Sequence, residues 1–384
     1  MNVVIVGAGI GGLAAAVALK RRGHAVKVYE RSKAPRELGF ALLLAPNAVH
    51  ALRALGLAEV VANAGHAMKR GEIRRLDGQT LRRLDSAAVE AALGEPTVVA
   101  LRPVLHGALL GALTDDELVL GAPARGCEQT ANGAALILED GSRAEADVLV
   151  GADGVGSVIR QALHPQQSGP VDSGLFALRG VAHGVTGKLG ELGAAQYFGP
   201  GVECGLARAS DDVVYWYVSL KAPLTDALVK DPLAWLAQYL EGAHAPLRDI
   251  ALATKPEDLR FDRLMERPLL SSWGAGAITL LGDAAHPMLP HAGQGAAQAL
   301  EDAVALGQAL SSGMPVPTAL RRYEAVRGER TSKIVKLARR NARMGSLRGP
   351  VSCWLRDAAV RMVPEATLLK TMISLGRPPE VLFK

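Results

Sequence analysis

Two rhythms of apolar and polar positions run along the chain and divide it. From Val3 to Val6 the run VVIV is apolar without a break, which fits a strand buried on both faces. It ends at Gly7-Ala8-Gly9-Ile10-Gly11-Gly12, after which LAAAVALKRRG continues at helical spacing and stops at Gly23. AVKVYERS then alternates as a strand and places Glu30 at its end. The chain therefore opens with strand, helix and strand joined by a short crossover.

A helix is predicted from about Pro46 to a stop at Gly56. GEIRRLDGQTLRRLD, from Gly71, sets an Asp-Gly turn between two alternating segments, the pattern of a hairpin. RPVLHGALLGAL, from Arg102, reads as a helix, and a second hairpin turning at Asp140-Gly141 leads into a buried strand from Val148 to Val150. Between Pro165 and Pro268 alternation dominates, as in VVYWYVSL from Val213 to Leu220, and predicts an antiparallel sheet. After Leu270 the first rhythm returns: AITLLGDAAH is an apolar strand ending in Gly-Asp, and helices follow from about Gly295 to Gln308 and Pro317 to Met344. The tail from Val351 is amphipathic, is interrupted by Pro364, and is expected to dock on the body or on a partner subunit.

Length and composition narrow the reading. At 384 residues the chain exceeds the usual single compact domain, so two domains, or one inserted in another, are expected. Its 43 Lys and Arg face 38 Asp and Glu, and the net charge of +5 is scattered rather than gathered into a nucleic-acid footprint. Cys127, Cys204 and Cys353 form no CxxC pair, no secretory signal pattern opens the chain, and no apolar run approaches roughly 18 residues. A reduced, cytoplasmic protein without a membrane span is expected, with the cysteines acting as buried small apolar residues; no residue is assigned to a metal. Aromatic residues are only 4% of the chain against 49% apolar, so the core must be mainly Ala, Leu and Val.

The first chemistry lies in the glycine turn. Gly7, Gly9 and Gly12 form G-x-G-x-x-G, with Gly11 beside them, between a strand and a helix. In that context the first glycine makes the tight turn, the second lets backbone approach a pyrophosphate, and the third lets helix and strand pack closely. Glu30, 18 residues beyond Gly12, can accept hydrogen bonds from an adenosine ribose. NAD and FAD satisfy this end equally well.

The stretch LLGDAAHPMLPHAGQGAAQALEDA, from Leu280 to Ala303, separates them. Asp283 at the strand end can bond a polyol, and Gly293-Gln294-Gly295-Ala296 starts a helix whose free N–H groups favour negative charge on a reduced isoalloxazine. FAD fits both ends and NAD fits one. A third segment, GADGVGSVIR from Gly151 to Arg160, again puts an aspartate, Asp153, after a buried strand.

In this order the glycine motif with Glu30-Arg31, the ADG-x-GS-x-x-R segment and the GDAAHPMLPHAGQGAAQALEDA segment resemble the FAD-dependent aromatic hydroxylases, the single-component flavoprotein monooxygenases of the p-hydroxybenzoate, salicylate and 3-hydroxybenzoate hydroxylase type, with their urate-hydroxylating branch. The resemblance spans roughly Asn2 to Arg330. It implies an α/β fold: a Rossmann-like FAD-binding domain with an inserted antiparallel β-sheet substrate domain and C-terminal helices. The expected division is 1–70, 98–165 and 269–345 for FAD, 71–97 and 166–268 for substrate, and 346–384 for a helical tail. It further implies that Glu30 and Arg31 serve the adenosine side, Arg102 the phosphate and ribitol region, Asp153 the FAD site, Asp283 the ribitol, and Pro290 with the following HAGQGA the isoalloxazine.

The implied reaction takes electrons from NAD(P)H, a transient donor for which the chain has no second glycine motif. It adds O2 at the flavin C4a position and hydroxylates an aromatic or heteroaromatic molecule through the hydroperoxide. His291, between Pro290 and the glycine turn, is the candidate catalytic side chain, set against a plain backbone-bonded loop histidine. His286 is expected to order the loop after Asp283. Arg179, Tyr215 and Tyr217 are candidate substrate residues, with sheet packing as the alternative; Tyr215 and Tyr217 share one face of their strand and Trp216 takes the other. Arg208 could meet a substrate carboxylate or sit at a hairpin edge, and Tyr323, Arg327 and Arg330 read as structural. An FAD-dependent epoxidase or other flavin oxidoreductase, and a non-catalytic nucleotide-binding redox module, are the competing readings. A monomer or homodimer is expected.

Overall fold

The computed structural model describes residues 1–34, 40–190, 192–221, 228 and 230–379. Its first sheet has five parallel strands, in the order Ile278–Leu280, Val148–Gly151, Asn2–Val6, Ala25–Glu30 and Leu118–Leu120. The central strand is buried from Val3 to Val6, as a strand covered on both faces requires. One cover is the helix Ile10–Lys20, which packs on the helix Gly295–Leu310. Small residues make that approach possible: a Cβ on Gly11 would lie 3.3 Å from the Ala299 methyl and 2.8 Å from Leu281. The core around this sheet is built of Ala, Leu, Val and Ile.

The second sheet has seven strands, in the order Leu259–Glu266, Val171–His183, Val213–Leu220, Val202–Arg208, Ala194–Gly199, Arg70–Arg75 and Thr80–Asp85. All neighbours run antiparallel except Ala194–Gly199 with Arg70–Arg75. The early hairpin, turning at Asp77-Gly78 with Gly78 at φ 94°, thus joins a sheet whose other strands begin only at Val171. The Asp140-Gly141 hairpin forms its own three-stranded sheet with Ala124–Gln129.

The helices Pro46–Ala54, Arg102–Leu110 and Val316–Gly345 stand where apolar spacing placed them. A small sheet of Ala41–Leu44, Val98–Leu101 and His66–Ala67 was not read, because strands of two to four residues carry too few positions for a period. The tail forms helices Pro350–Met362 and Glu365–Gly376, broken at Pro364. It docks on the body: Arg356 Nη1 donates to Gly199 O at 3.0 Å, and Gly376 lies against Pro46 and Leu93. Among the described residues no helix is long and apolar enough to cross a membrane, and no group of three or more His, Cys, Asp or Glu could hold a metal ion.

Candidate functional site

A crevice of about 350 Å³ opens at the C-terminal ends of the parallel strands, where ligands of such sheets bind, and is lined by Gly7, Gly9, Glu30, Arg31, Arg102 and Asp153 among others. Gly7 has φ 102°, a conformation costly for any other residue, and its N–H donates to Tyr29 O at 2.8 Å. Two of the glycines answer different needs. A Cβ on Gly12 would stand 1.9 Å from Gly7 O, so Gly12 lets helix meet strand, whereas a Cβ on Gly9 meets nothing within 4 Å. Gly9 thus leaves open space before the first turn of the helix, where free N–H groups suit an anion. Gly11 faces the helix interface, not the crevice.

Glu30 Oε2 accepts the Ala8 N–H and Oε1 the Ser32 N–H, both at 2.9 Å. Burial works against the charged form, but these N–H groups outweigh it and hold Glu30 below its ordinary pKa. Asp153 both lines the crevice and caps a helix: it accepts from Ser157 Oγ at 2.6 Å and from Val158 N at 2.8 Å. Burial raises its pKa, with those donors opposing. The arginine of the same motif, Arg160, is fully buried and donates Nη1 to Ala284 O at 3.2 Å and Ala285 O at 3.1 Å. One motif therefore holds the loop of another in place.

Asp283 sits in the turn Gly282–Ala284 that follows the strand Ile278–Leu280. Its side chain is reached by solvent, yet it stands in a recess crowded by protein, and that burial pushes its carboxyl above the ordinary range against the pull of His286 and Arg102. Arg102 is in the same position, solvent-reached within a crowded cleft. Burial lowers its pKa, Asp283 opposes that, and Arg179 and Arg260 add to it. Arg102 thus links the crevice to Asp283 and to the second sheet. Beyond Asp283, Pro290–Ala292 form a turn, Gly293 takes φ 61°, and the helix begins at Gly295 with Ala296. Its first N–H groups have no preceding carbonyl to bond.

Gln294 points inward. Its Oε1 accepts from Asn47 Nδ2 at 3.0 Å and from Gln298 Nε2 at 3.1 Å, so its side chain pins the helix start from behind. It belongs to a buried polar network that sequence reasoning missed. Asp302 accepts the Gly282 N–H at 3.0 Å, lies 2.6 Å from His286 Nε2, and takes Arg327 Nε at 2.7 Å. Glu301 takes Arg327 Nη1, Arg330 Nε and Asn47 Nδ2. Glu301, Asp302, Arg327, Gln298 and Asn47 are all fully buried. His286 orders this loop, as expected. The one available signal was Glu301-Asp302 on an otherwise apolar helix, which demands buried cations.

The second sheet turns one face to this loop. Ser219 Oγ and His291 Nε2 are 3.1 Å apart, and Asn341 Nδ2 donates to His291 O at 3.0 Å. Burial drives the His291 pKa down to about 4, so its imidazole is neutral at working pH. Tyr215 and Tyr217 share the face with Ser219, their rings 6.3 Å apart, while Trp216 is buried on the other side with its indole N–H on Thr254 Oγ1 at 2.7 Å. Arg179 Nη2 meets Asp262 Oδ2 at 2.9 Å, and Arg260 Nε donates to Asp262 Oδ1 at 2.8 Å. Arg208 lies at a hairpin edge, donating Nε to Ser210 O at 3.2 Å. Tyr217 O–H donates to Glu203 Oε1 at 3.0 Å, and Glu203 is 2% exposed. Neither Glu203 nor Asp262 was singled out from sequence, since an acid on an alternating strand reads as its wet face.

Comparison with known proteins agrees with this geometry. Residues 1–338 match a family model described as FAD binding domain. The chain is 35% identical to the Aurachin C monooxygenase/isomerase of Stigmatella aurantiaca, over 94% of each protein. It is 32% identical to the 3-hydroxybenzoate 6-hydroxylase 1 of Aquipseudomonas alcaligenes, over 88% of each. The crystal structure of Klebsiella pneumoniae HpxO complexed with FAD and uric acid superposes with a TM-score of 0.91 at 26% identity, covering 99% of this chain and 98% of that one.

Proposed function

The chain belongs to the FAD-binding-domain family of FAD-dependent aromatic hydroxylases, and from that premise we propose that it uses NAD(P)H and O2 to hydroxylate an aromatic or heteroaromatic small molecule. It is an FAD-dependent monooxygenase by family. The observation that carries the finer reading is the continuity of the site. The crevice holds Gly7, Glu30 and Arg102; Arg102 feels the charges of Asp283 and of Arg179 on the second sheet, and Ser219 on the Tyr215–Tyr217 face meets His291 of the loop before Gly295. That path has the order of FAD from adenosine to ring.

In this reading residues 1–70, 98–165 and 269–345 hold the cofactor, 71–97 and 166–268 supply the substrate wall, and 346–384 brace the outside. Gly9 and the helix start beyond it receive the pyrophosphate, Glu30 and Arg31 the adenosine side, and Asp283 the ribitol. Pro290 to Ala296 lie against the ring. When bound by these residues, FAD would supply the redox chemistry, accepting electrons from NAD(P)H and passing them to oxygen. The chain's own residues bind, orient and exclude water. His291, neutral and tied to Ser219, adds no charge of its own beside the substrate while it fixes the loop.

The test is the visible spectrum of the purified protein, followed by NADH and NADPH oxidation with and without phenols and heteroaromatics, with H2O2 measured alongside. Flavin bands and ligand-stimulated oxidation with little H2O2 are expected. A flavoprotein that no such ligand stimulates would move the assignment to another flavin chemistry.

A further inference from the structure

The substrate face has a polarity that its hydrogen bonds set. Tyr217 has a glycine, Gly205, directly beside it on the next strand, where a Cβ would stand 2.3 Å from its ring. The ring therefore leans across Gly205 and delivers its O–H to Glu203 Oε1 at 3.0 Å. A second glycine, Gly345 at the end of the long helix, makes room for the acid: a Cβ there would be 2.7 Å from Glu203 Oε2. Arg179, opposite Tyr217 on the other neighbouring strand, leans away to Asp262. Register sets Glu203 directly opposite Ser219, which reaches His291, so the pair lies beside the candidate flavin loop.

A phenol has one proton. With that proton committed to Glu203, the Tyr217 oxygen can offer the pocket only lone pairs. We propose that Glu203 positions the Tyr217 hydroxyl as an obligate acceptor, and that the substrate is an uncharged hydroxylated or oxo-heteroaromatic presenting an O–H or N–H to it, rather than an aromatic carboxylate. This rests on the hydroxylase reading and narrows its substrate class.

The electrostatics agree. Burial raises the Glu203 pKa to about 7, against the favourable bond from Tyr217, the nearby Gln196 amide and the charge of Arg356 from the C-terminal helix. Cys204, its neighbour on the strand, is fully buried with its thiol pushed up, and Gly345 from the long helix brings no charge. Glu203 Oε2 has no hydrogen-bond partner among the described residues. Above pH about 7 the ionised carboxylate can only accept, which fixes the direction of the Tyr217 O–H; below it the acid can itself donate and release that proton.

The experiment titrates the FAD-loaded protein and reads the change in flavin absorbance, which needs no turnover. The probes are 3-hydroxybenzamide, the ether N,N-dimethyl-3-methoxybenzamide, which has no proton to donate, 3-hydroxybenzoate and quinolin-4-one. We expect the amide and the quinolone to bind at least roughly tenfold tighter than the ether or the carboxylate, the value of one charge-linked hydrogen bond. That preference should sharpen as pH rises through about 7. Glu203→Gln cannot ionise and, like the protonated acid, can also donate to Tyr217, so it should hold the preference at its weaker low-pH level and lose its pH dependence. Glu203→Leu frees the Tyr217 proton and should erase or invert the preference, with FAD content as the check that it folds. Carboxylate binding as tight as that of the amide, with Glu203→Leu unchanged, would overturn the proposal and point to Arg179 as an anion anchor. That result leaves the hydroxylase reading standing, whereas absence of ligand-stimulated NAD(P)H oxidation with every probe would count against that reading alone.

Discussion

The two ends of the candidate cofactor site are built by different means. At the nucleotide end the parts are backbone: a glycine turn, a helix start and the N–H groups of Ala8 and Ser32 on one carboxylate, all within Gly7 to Ser32. At the ring end the backbone loop from Gly282 to Gly295 is held, through its own His286, by side chains brought from positions 47, 160, 298, 301, 302 and 327. A backbone site tolerates most side-chain changes around it and fails at single glycines. A site propped by buried charges fails when any one prop leaves its partner unpaired.

The contrast is sharpest at Arg327. Its guanidinium is fully buried between Glu301 and Asp302, which raise its pKa against the burial that opposes it. Arg327→Met takes the shared cation from both buried carboxylates, leaving Glu301 to Arg330 and Asn47 and Asp302 to His286 and the Gly282 N–H, and a loss of about 3 kcal/mol in denaturant unfolding is expected, with poor retention of FAD. A loss under about 1 kcal/mol would show that the network is not what holds the loop.

At the backbone end, Gly12 and Gly9 separate folding from binding. Gly12→Ala drives a methyl toward Gly7 O, 1.9 Å away, and should cost about 1–3 kcal/mol of stability. Gly9→Ala meets nothing in the protein, so stability should stay within about 0.5 kcal/mol, while FAD affinity falls roughly tenfold or more because the methyl takes space the pyrophosphate needs. Equal effects of the two on stability would undo the distinction.

That distinction explains what the sequence disclosed. Turn glycines, strand ends and helix starts are local, so Gly7, Gly9, Glu30 and the hairpins at Asp77-Gly78 and Asp140-Gly141 were legible from spacing, whereas Arg31 and Arg102 of the same crevice came from the family resemblance. The alternation of Tyr215, Trp216 and Tyr217 gave two faces, and only the tertiary fold decided that the tyrosines turn toward His291. The props were illegible for the same reason. Nothing in the neighbourhood of Asn47 announces a carboxylate 254 positions later, and Gln294, read as a ligand-side residue of its motif, turns its side chain to that network instead.

Glu30 tests the nucleotide end more gently. Its carboxylate accepts two N–H bonds, and Glu30→Gln can serve only one of them. FAD should bind roughly tenfold more weakly, about 1.4 kcal/mol. Because the folded pKa is depressed, Glu30 contributes stability that is present above its unfolded pKa and is lost as pH falls through the folded value. Wild-type protein should therefore destabilise more than Glu30→Gln on acidification below about pH 4.5.

The smallest effect on activity belongs to His291, whose pKa of about 4 lies below the ordinary 6.5. It is neutral when folded and takes a proton below pH 6.5 once unfolded, so its contribution is present above that pH and lost as pH falls toward about 4. Glu203 acts in the opposite sense: its raised pKa gives stability present below about 4.5 and lost as pH rises through about 7. A comparison of wild type with His291→Asn at pH 8 and pH 5 isolates the histidine. The wild type should lose up to about 2 kcal/mol more on acidification, and kcat/KM at pH 8 should change by less than roughly tenfold, the worth of one neutral hydrogen bond to Ser219. An activity limb with a midpoint between pH 6 and 7 that vanishes in His291→Asn would instead make the imidazole a proton carrier at the ring end, and would join the two ends of the site by chemistry as well as by fold.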